Sequence, residues 1–239
     1  MIKMKTNASI VFNILIIGLL VLSSSCSKDD PLNIVVDIQG NVYKIVTIGD
    51  QTWMAENLKY LPEVVGPATG SQTIPYYYVY GYDGKDVNTA KATDNYKNYG
   101  VLYNWLAAIA GTASSSANSS KVQGVCPNGW HLPSDAEWKQ LTDYLLGANK
   151  AADQLKEAGN VHWNKPNTGT NESGFTALPG GYRNSSGAFD HFGYVGYWWS
   201  ATEANPSHPW YRDMTYNASI VYRGSTKEES GFSVRCVKD

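Results

Sequence analysis

Four histidines, three cysteines and a dense set of aromatics are the residues of this 239-residue chain whose types could do chemistry. His131, His162, His191 and His208 share neither His-x-x-x-His nor His-Glu-x-x-His spacing, so no zinc site is signalled, and no EF-hand loop is written for calcium. Catalysis without a metal needs a nucleophile–base set or a carboxylate pair. Asp190-His191 and Asp213 would have to meet in space to supply one, and their spacing does not dictate it. His131 reads as a packed structural residue and Glu137 as a helix cap, so no catalytic residue, metal ligand or cofactor is assigned. The aromatics are more informative. Trp163, Tyr182, Phe189, Phe192, Tyr194, Tyr197, Trp210 and Tyr211 interleave with Asn, Ser, Gly and Asp. Aromatic faces beside amides and hydroxyls suit sugar rings, which stack their CH faces and hydrogen-bond through their rims, and they suit protein contacts equally. Trp163, Tyr194, Trp210 and Tyr211 are the candidate ligand-binding residues. The competing expectation is that such residues fill the core of a domain short of Leu and Ile, as Trp198 and Trp199 would.

The thiols point to a compartment. Lys3 and Lys5 open the chain, Ile10–Leu22 is apolar apart from Asn13 and Gly18, and Ser23-Ser24-Ser25 lead into Cys26. A charged start, a short apolar run and small residues describe an export signal, whereas a spanning helix needs about 20 apolar residues. The segment resembles a bacterial lipobox, with Ser23 standing where a large apolar residue is usual. Residues 1–25 are therefore expected to be a lipoprotein signal peptide and Cys26 the acylated residue, the alternative being a retained N-terminal anchor. Residues 26–34 follow as a lipidated tether. Lys28-Asp29-Asp30 resembles the short acidic tag of Bacteroidetes lipoproteins sent to the outer face of the outer membrane, or is simply a solvated linker. With Cys26 acylated, Cys126 and Cys236 remain as an even pair in an oxidising compartment, either bridged or as two buried thiols.

Composition bounds the rest. Without residues 1–25, which hold two of the 19 basic residues and no acid, 17 basic residues face 21 acidic ones. No basic face emerges, which argues against nucleic acid as a partner. The remaining length fits one domain, residues 35–239. Its 17 Tyr and 8 Trp against few charges suit an extracellular, loop-rich protein.

Candidate binding residues need elements to hold them. Alternation around Gly40-Asn41 predicts a hairpin, with a further strand over 51–54. Residues 61–98 read as a long ordered loop with one strand at 76–80. The apolar spacing predicts a helix over 99–110, followed by a flexible Ser/Ala loop over 112–120. Ser134 and Glu137 form a capping box for a helix closing at Gly147, and a shorter helix is expected over 150–158. Strands are predicted at 174–177, 197–200, 210–216, 219–223 and 231–238.

Gly40-Asn41-Val42-Tyr43, Gln51-Thr52-Trp53-Met54-Ala55-Glu56-Asn57-Leu58, Cys126-Pro127-Asn128-Gly129-Trp130-His131-Leu132-Pro133, Ala177-Leu178-Pro179-Gly180-Gly181-Tyr182-Arg183, Tyr197-Trp198-Trp199-Ser200 and Gly231-Phe232-Ser233-Val234-Arg235-Cys236-Val237 resemble the Fibrobacter succinogenes major paralogous domain, over about residues 35–238. That family is common in lipoproteins and has no settled biochemical activity. More distantly, Leu132–Trp138 and the closing Gly-Phe-x-x-Arg-Cys-Val resemble landmarks of the formylglycine-generating sulfatase-modifying family. This implies an α+β, C-type-lectin-like fold: a mixed twisted β core, two to three helices and long loops. The copper chemistry of that family uses a thiol pair at its site, and no thiol is spare here. Calcium-dependent sugar binding is also unsupported, because Glu203-Ala204-Asn205-Pro206 has its residues in the wrong order and the paired Asn-Asp is missing. The expectation is a non-catalytic, outer-membrane, cell-surface recognition or adhesion module for a glycan or protein ligand, held to the membrane by lipid on Cys26. The alternatives are a polysaccharide-directed enzyme with a carboxylate pair and a purely structural envelope protein.

Overall fold

The computed structural model describes residues 33–239. The signal segment, Cys26 and most of the tether lie outside those residues. The hairpin forms as its pattern demands, from β1 (Ile34–Val36) and β2 (Val42–Ile48), with β3 (Gln51–Met54) antiparallel to β2. Asp37 organises its turn. Its carboxylate accepts from the Gln39 and Asn41 backbone N–H groups, the Asn41 amide and the Tyr43 hydroxyl, while Gly40 supplies the left-handed φ of +81°.

Residues 61–98 hold more structure than their sequence suggests. β4 (Tyr77–Tyr78) pairs with β5 (Leu102–Tyr103), and two short helices lie between them, α1 (Val87–Ala92) capped by Asp86 and α2 (Asp94–Tyr99) capped by Thr93. The helix expected over 99–110 is confined to α3 (Trp105–Ile109). Gly100 breaks the run with φ +76°, packed so closely on the Leu58 carbonyl that a Cβ would meet it at 2.6 Å. Tyr103 then exchanges two backbone hydrogen bonds with Phe232 before Asn104 caps the helix. The Ser/Ala stretch is tied down: Ser115 N–H donates to Ala201, and Ser120 is buried.

β6 (Trp130–His131) leads into α4 (Asp135–Tyr144), where the Ser134–Glu137 capping box forms as expected. α4 ends three residues before Gly147, which instead starts α5 (Ala148–Leu155). No strand forms over 174–177. The Phe175 and Thr176 carbonyls are taken by the buried Arg235 guanidinium, and Ala177 makes only an isolated bridge to Lys156. β7 (Tyr182–Arg183) pairs with β8 (Phe189–Asp190). A three-stranded antiparallel sheet follows, with β10 (His208–Thr215) between β9 (Val195–Asn205) and β11 (Val221–Ser225).

The closing segment is a strand only at β12 (Val237–Lys238), which completes a five-stranded sheet in the order β1-β2-β3-β12-β6. Upstream of it the backbone visits β5, β9 and the residues after β3 in turn, through Phe232, Ser233 and Val234. The architecture is thus mixed α+β, with several antiparallel sheets and five short helices among the described residues, more than the two or three expected. Two cores form. Consecutive residues of a strand face opposite ways, so Trp198 packs with Trp53, Trp138 and Phe175, and Trp199 with Phe232, Trp105 and the Cys126–Cys236 disulfide.

Candidate functional site

Alternation along β10 puts Trp210, Arg212 and Met214 on one face and Tyr211, Asp213 and Thr215 on the other. The first face packs on the helices: Met214 lies in the core with Trp138 and Leu141 of α4, and Arg212 pairs with Asp135 at 2.8 Å. The second face is partly open. Register sets Asp213 directly between Tyr197 of β9 and Tyr222 of β11, a Tyr–Asp–Tyr row across three strands. One pleat further on, Tyr211 stands between Trp199 and Gly224.

Two local features keep this face accessible on one side and solid beneath. Gly224 leaves the space that the Tyr211 ring uses, since a Cβ there would meet the phenol oxygen at 2.5 Å. Phe232 lies under the row, 5.0 Å from each of the Tyr197 and Tyr211 rings, so the aromatics rest on a packed floor. The result is an open groove of about 420 Å³ lined by Tyr197, Tyr211, Asp213, Thr215, Tyr222, Arg223 and Gly224. At its rim the His191 ring stacks on Tyr197, with Nδ1 2.7 Å from the phenol oxygen.

Electrostatics single out Asp213. Burial alone pushes its carboxyl up to about 6, and among the described residues no protein donor or cation reaches it. The neighbouring cation is engaged elsewhere: the Arg223 guanidinium turns to the helix face, 2.8 Å from Asp135 and 3.4 Å above the Trp210 ring. Burial raises the Tyr197 phenol well above its ordinary range and raises the Tyr211 phenol too, and the Asp213 charge raises both further, so both stay neutral hydroxyls. Two other cavities lack such a free group. In one of about 420 Å³ beside Cys126, the Asp37 oxygens are already bound by the β1–β2 turn. In another of about 380 Å³ between α4 and β11, Asp135 carries both Arg212 and Arg223.

The structure scatters the four residues predicted to bind a ligand. Trp163 is a correction: at 2% exposure it is core, donating to the Ala177 carbonyl with the Lys156 ammonium 5.6 Å from its ring. Trp210 is half-buried on the helix face under Arg223. Tyr194 is exposed but packs edge-on against Tyr216, away from the groove lining. Tyr211 alone lines the groove. Two further groove residues, Asp213 and Tyr222, have a legible signal in the sequence. Two adjacent strands at 210–216 and 219–223, paired as a hairpin, set them opposite one another.

His131 offers the nearest approach to a catalytic constellation. Its Nδ1 lies 2.7 Å from Asp239, and its Nε2 lies 3.1 Å from the Ser119 hydroxyl and 2.6 Å from Glu137. Both ring nitrogens face carboxylates, so both carry protons. Burial opposes the imidazolium, but the hydrogen bonds and charge of Glu137 and then Asp239 outweigh it and raise the pKa. Ser119 therefore meets an N–H rather than a lone pair and has no base. Glu137 also accepts from the Ser134 and Ser120 backbone N–H groups. This is a structural clasp. Among the described residues no cluster of three or more His, Cys, Asp or Glu could hold a metal ion, and no helix is long and apolar enough to cross a membrane.

A family model, the Fibrobacter succinogenes major domain, matches residues 46–238 of the chain. No curated protein and no solved structure matches it.

Proposed function

The chain belongs to the Fibrobacter succinogenes major domain family, and from that premise we propose that it is a non-catalytic recognition module of the cell surface, holding a glycan in the groove of β9, β10 and β11. The observation that carries the reading is Asp213, a carboxylate left without a partner between two tyrosines. Tyrosine faces accept the CH face of a sugar ring, and a carboxylate accepts hydrogen bonds from its hydroxyls; a rigid sheet with long connections is a common scaffold for such a site. The export signal, lipid on Cys26 and display on the outer face of the outer membrane complete the proposal. They rest on the sequence of residues 1–32. The C-type-lectin-like plan is supported by the meeting of β3 and β12, which brings the two ends of the domain into one sheet.

One observation favours a second reading, glycoside hydrolysis: the raised Asp213 carboxyl could serve as a general acid. Hydrolysis also needs a second carboxylate about 5–10 Å away across the cleft, and Asp213 is the one carboxylate lining this groove. A glycan-array screen of the protein, with calcium and with chelator, tests the proposal. Saturable binding that survives chelator and falls at least tenfold in Tyr222→Ala is expected. Silence across the array would end the glycan reading and leave a protein partner or a structural envelope role. Release of reducing ends from a bound glycan would establish the enzyme instead.

A further inference from the structure

The groove is unusual in what it withholds from its own carboxylate. A half-buried Asp ordinarily draws on a backbone N–H, a hydroxyl or a cation. Asp213 has Tyr197 and Tyr222 directly opposite it, yet the Tyr197 hydroxyl is directed to His191, and no described residue donates to the carboxylate. Arg223 comes from the adjacent strand and could have neutralised it, but its guanidinium is committed on the far side of the sheet to Asp135 and Trp210. Of the charged groups on other elements, Asp190 at the end of β8 adds its negative field to Tyr182 and Tyr197, and His191 beside it takes the Tyr197 hydroxyl; neither is among the residues that line the groove. Three tyrosines thus share the groove with a carboxylate that no described cation pairs.

That pairing has a defined complement. The face of an aromatic ring attracts cations through its quadrupole, and rings grouped around a carboxylate are the way proteins hold ammonium groups. A neutral sugar hydroxyl would satisfy the hydrogen bond but leave the charge unmatched. We infer that the ligand of this groove presents a positively charged ammonium group to Asp213, with Tyr197, Tyr211 and Tyr222 around it. The inference deepens the glycan reading, on which it rests in one respect: within that reading the ligand is an amino sugar whose amine is free rather than acetylated. The same ammonium chemistry could also come from a lysine side chain.

Titrations of the protein at pH 7 with three probes separate these cases. The probes are a β-1,4-linked glucosamine trisaccharide, its fully N-acetylated counterpart, and N-acetyl-lysine methylamide. The free-amine trisaccharide is expected to bind at least tenfold more tightly than the acetylated one. Asp213→Asn should erase that preference, and Tyr222→Ala, at a position 42% exposed and so safe for folding, should weaken the free amine more than the acetylated form. Equal binding of the two trisaccharides, or a preference that survives Asp213→Asn, overturns the inference and leaves the glycan reading standing. Binding of the lysine derivative with neither sugar supports the ammonium inference and overturns the glycan reading. No binding by any probe overturns both.

Discussion

At the level of single residues, two carboxylates in this protein are treated in opposite ways. Glu137 is fully employed, accepting from His131, Ser134 and Ser120, and these bonds hold its pKa below the ordinary value although burial alone would raise it. Asp213 is left unemployed and its pKa rises to about 6. The consequences for stability differ in sign. A carboxyl whose folded pKa exceeds its unfolded value of about 3.9 makes the folded state bind more protons, so stability falls as pH rises between the two values. Asp213→Asn is therefore expected to raise the melting temperature at pH 7.5 by a few degrees, with the gain vanishing near pH 4. An unchanged difference across that range would mean that Asp213 is solvated like any surface acid. His131 behaves in the reverse way: its raised pKa contributes stability that is fully present below about pH 6.5 and is lost as pH climbs through the folded value. His131→Gln should lower the melting temperature markedly at pH 6 and much less at pH 9, as thermal melts across pH would show.

Elements decide which of these residues meet. The β10–β11 turn is clipped by a residue outside it: Lys156, fully buried just after α5, shares the three protons of its ammonium among the carbonyls of Thr215, Tyr216 and Ala218 and the Thr168 hydroxyl. Lys156→Met would leave the Thr215 and Tyr216 carbonyls only the Ala218 and Thr168 backbone N–H groups, and the Ala218 carbonyl no donor among the described residues, at roughly 1–3 kcal/mol for an unmet group. A loss of about 1–3 kcal/mol in chemical denaturation is expected, with the hairpin amides losing hydrogen-exchange protection first. A loss under about 1 kcal/mol would show that the turn stands without its clip. None of this was visible in the sequence, because a lysine after a short amphipathic helix reads as a solvated residue. What was visible follows the same logic in reverse. The Gly40-Asn41 hairpin, the Ser134–Glu137 capping box and the strands around 197–200, 210–216 and 219–223 are specified by neighbours in the chain, and all formed. The helix expected over 99–110 and the strand over 174–177 failed because distant partners intervened, Phe232 on Tyr103 and Arg235 on the carbonyls of Phe175 and Thr176. The groove fell between these cases. Its tyrosines stand out in the sequence as a group, but strand register selects Tyr211 over Trp163 and Trp210 and adds Asp213 and Tyr222.

Across the whole molecule, the segment from Gly231 to Lys238 is where the pieces are joined. Phe232 floors the groove and pairs with β5, Ser233 bridges to β9, Val234 carries the residues after β3, and Val237 sits between β3 and β6. Cys236 lies inside this segment and is bonded to Cys126, 110 residues earlier, with both buried in the core that contains Phe232. A crosslink over a loop of that length restricts the unfolded chain by about 4–5 kcal/mol in the chain-entropy model. Its position implies more than a local staple: loosening it should loosen the floor of the groove and the junction of the five-stranded sheet together. The Cys126→Ala/Cys236→Ala protein is accordingly expected to lose about 2–5 kcal/mol of unfolding free energy. It should still unfold in one transition, with tryptophan fluorescence and backbone circular dichroism changing together. Two separated transitions, with the β9–β11 sheet surviving the first, would instead mean that the groove is supported by its own sheet and the α4 packing. The closing segment would then tie together parts that are already stable.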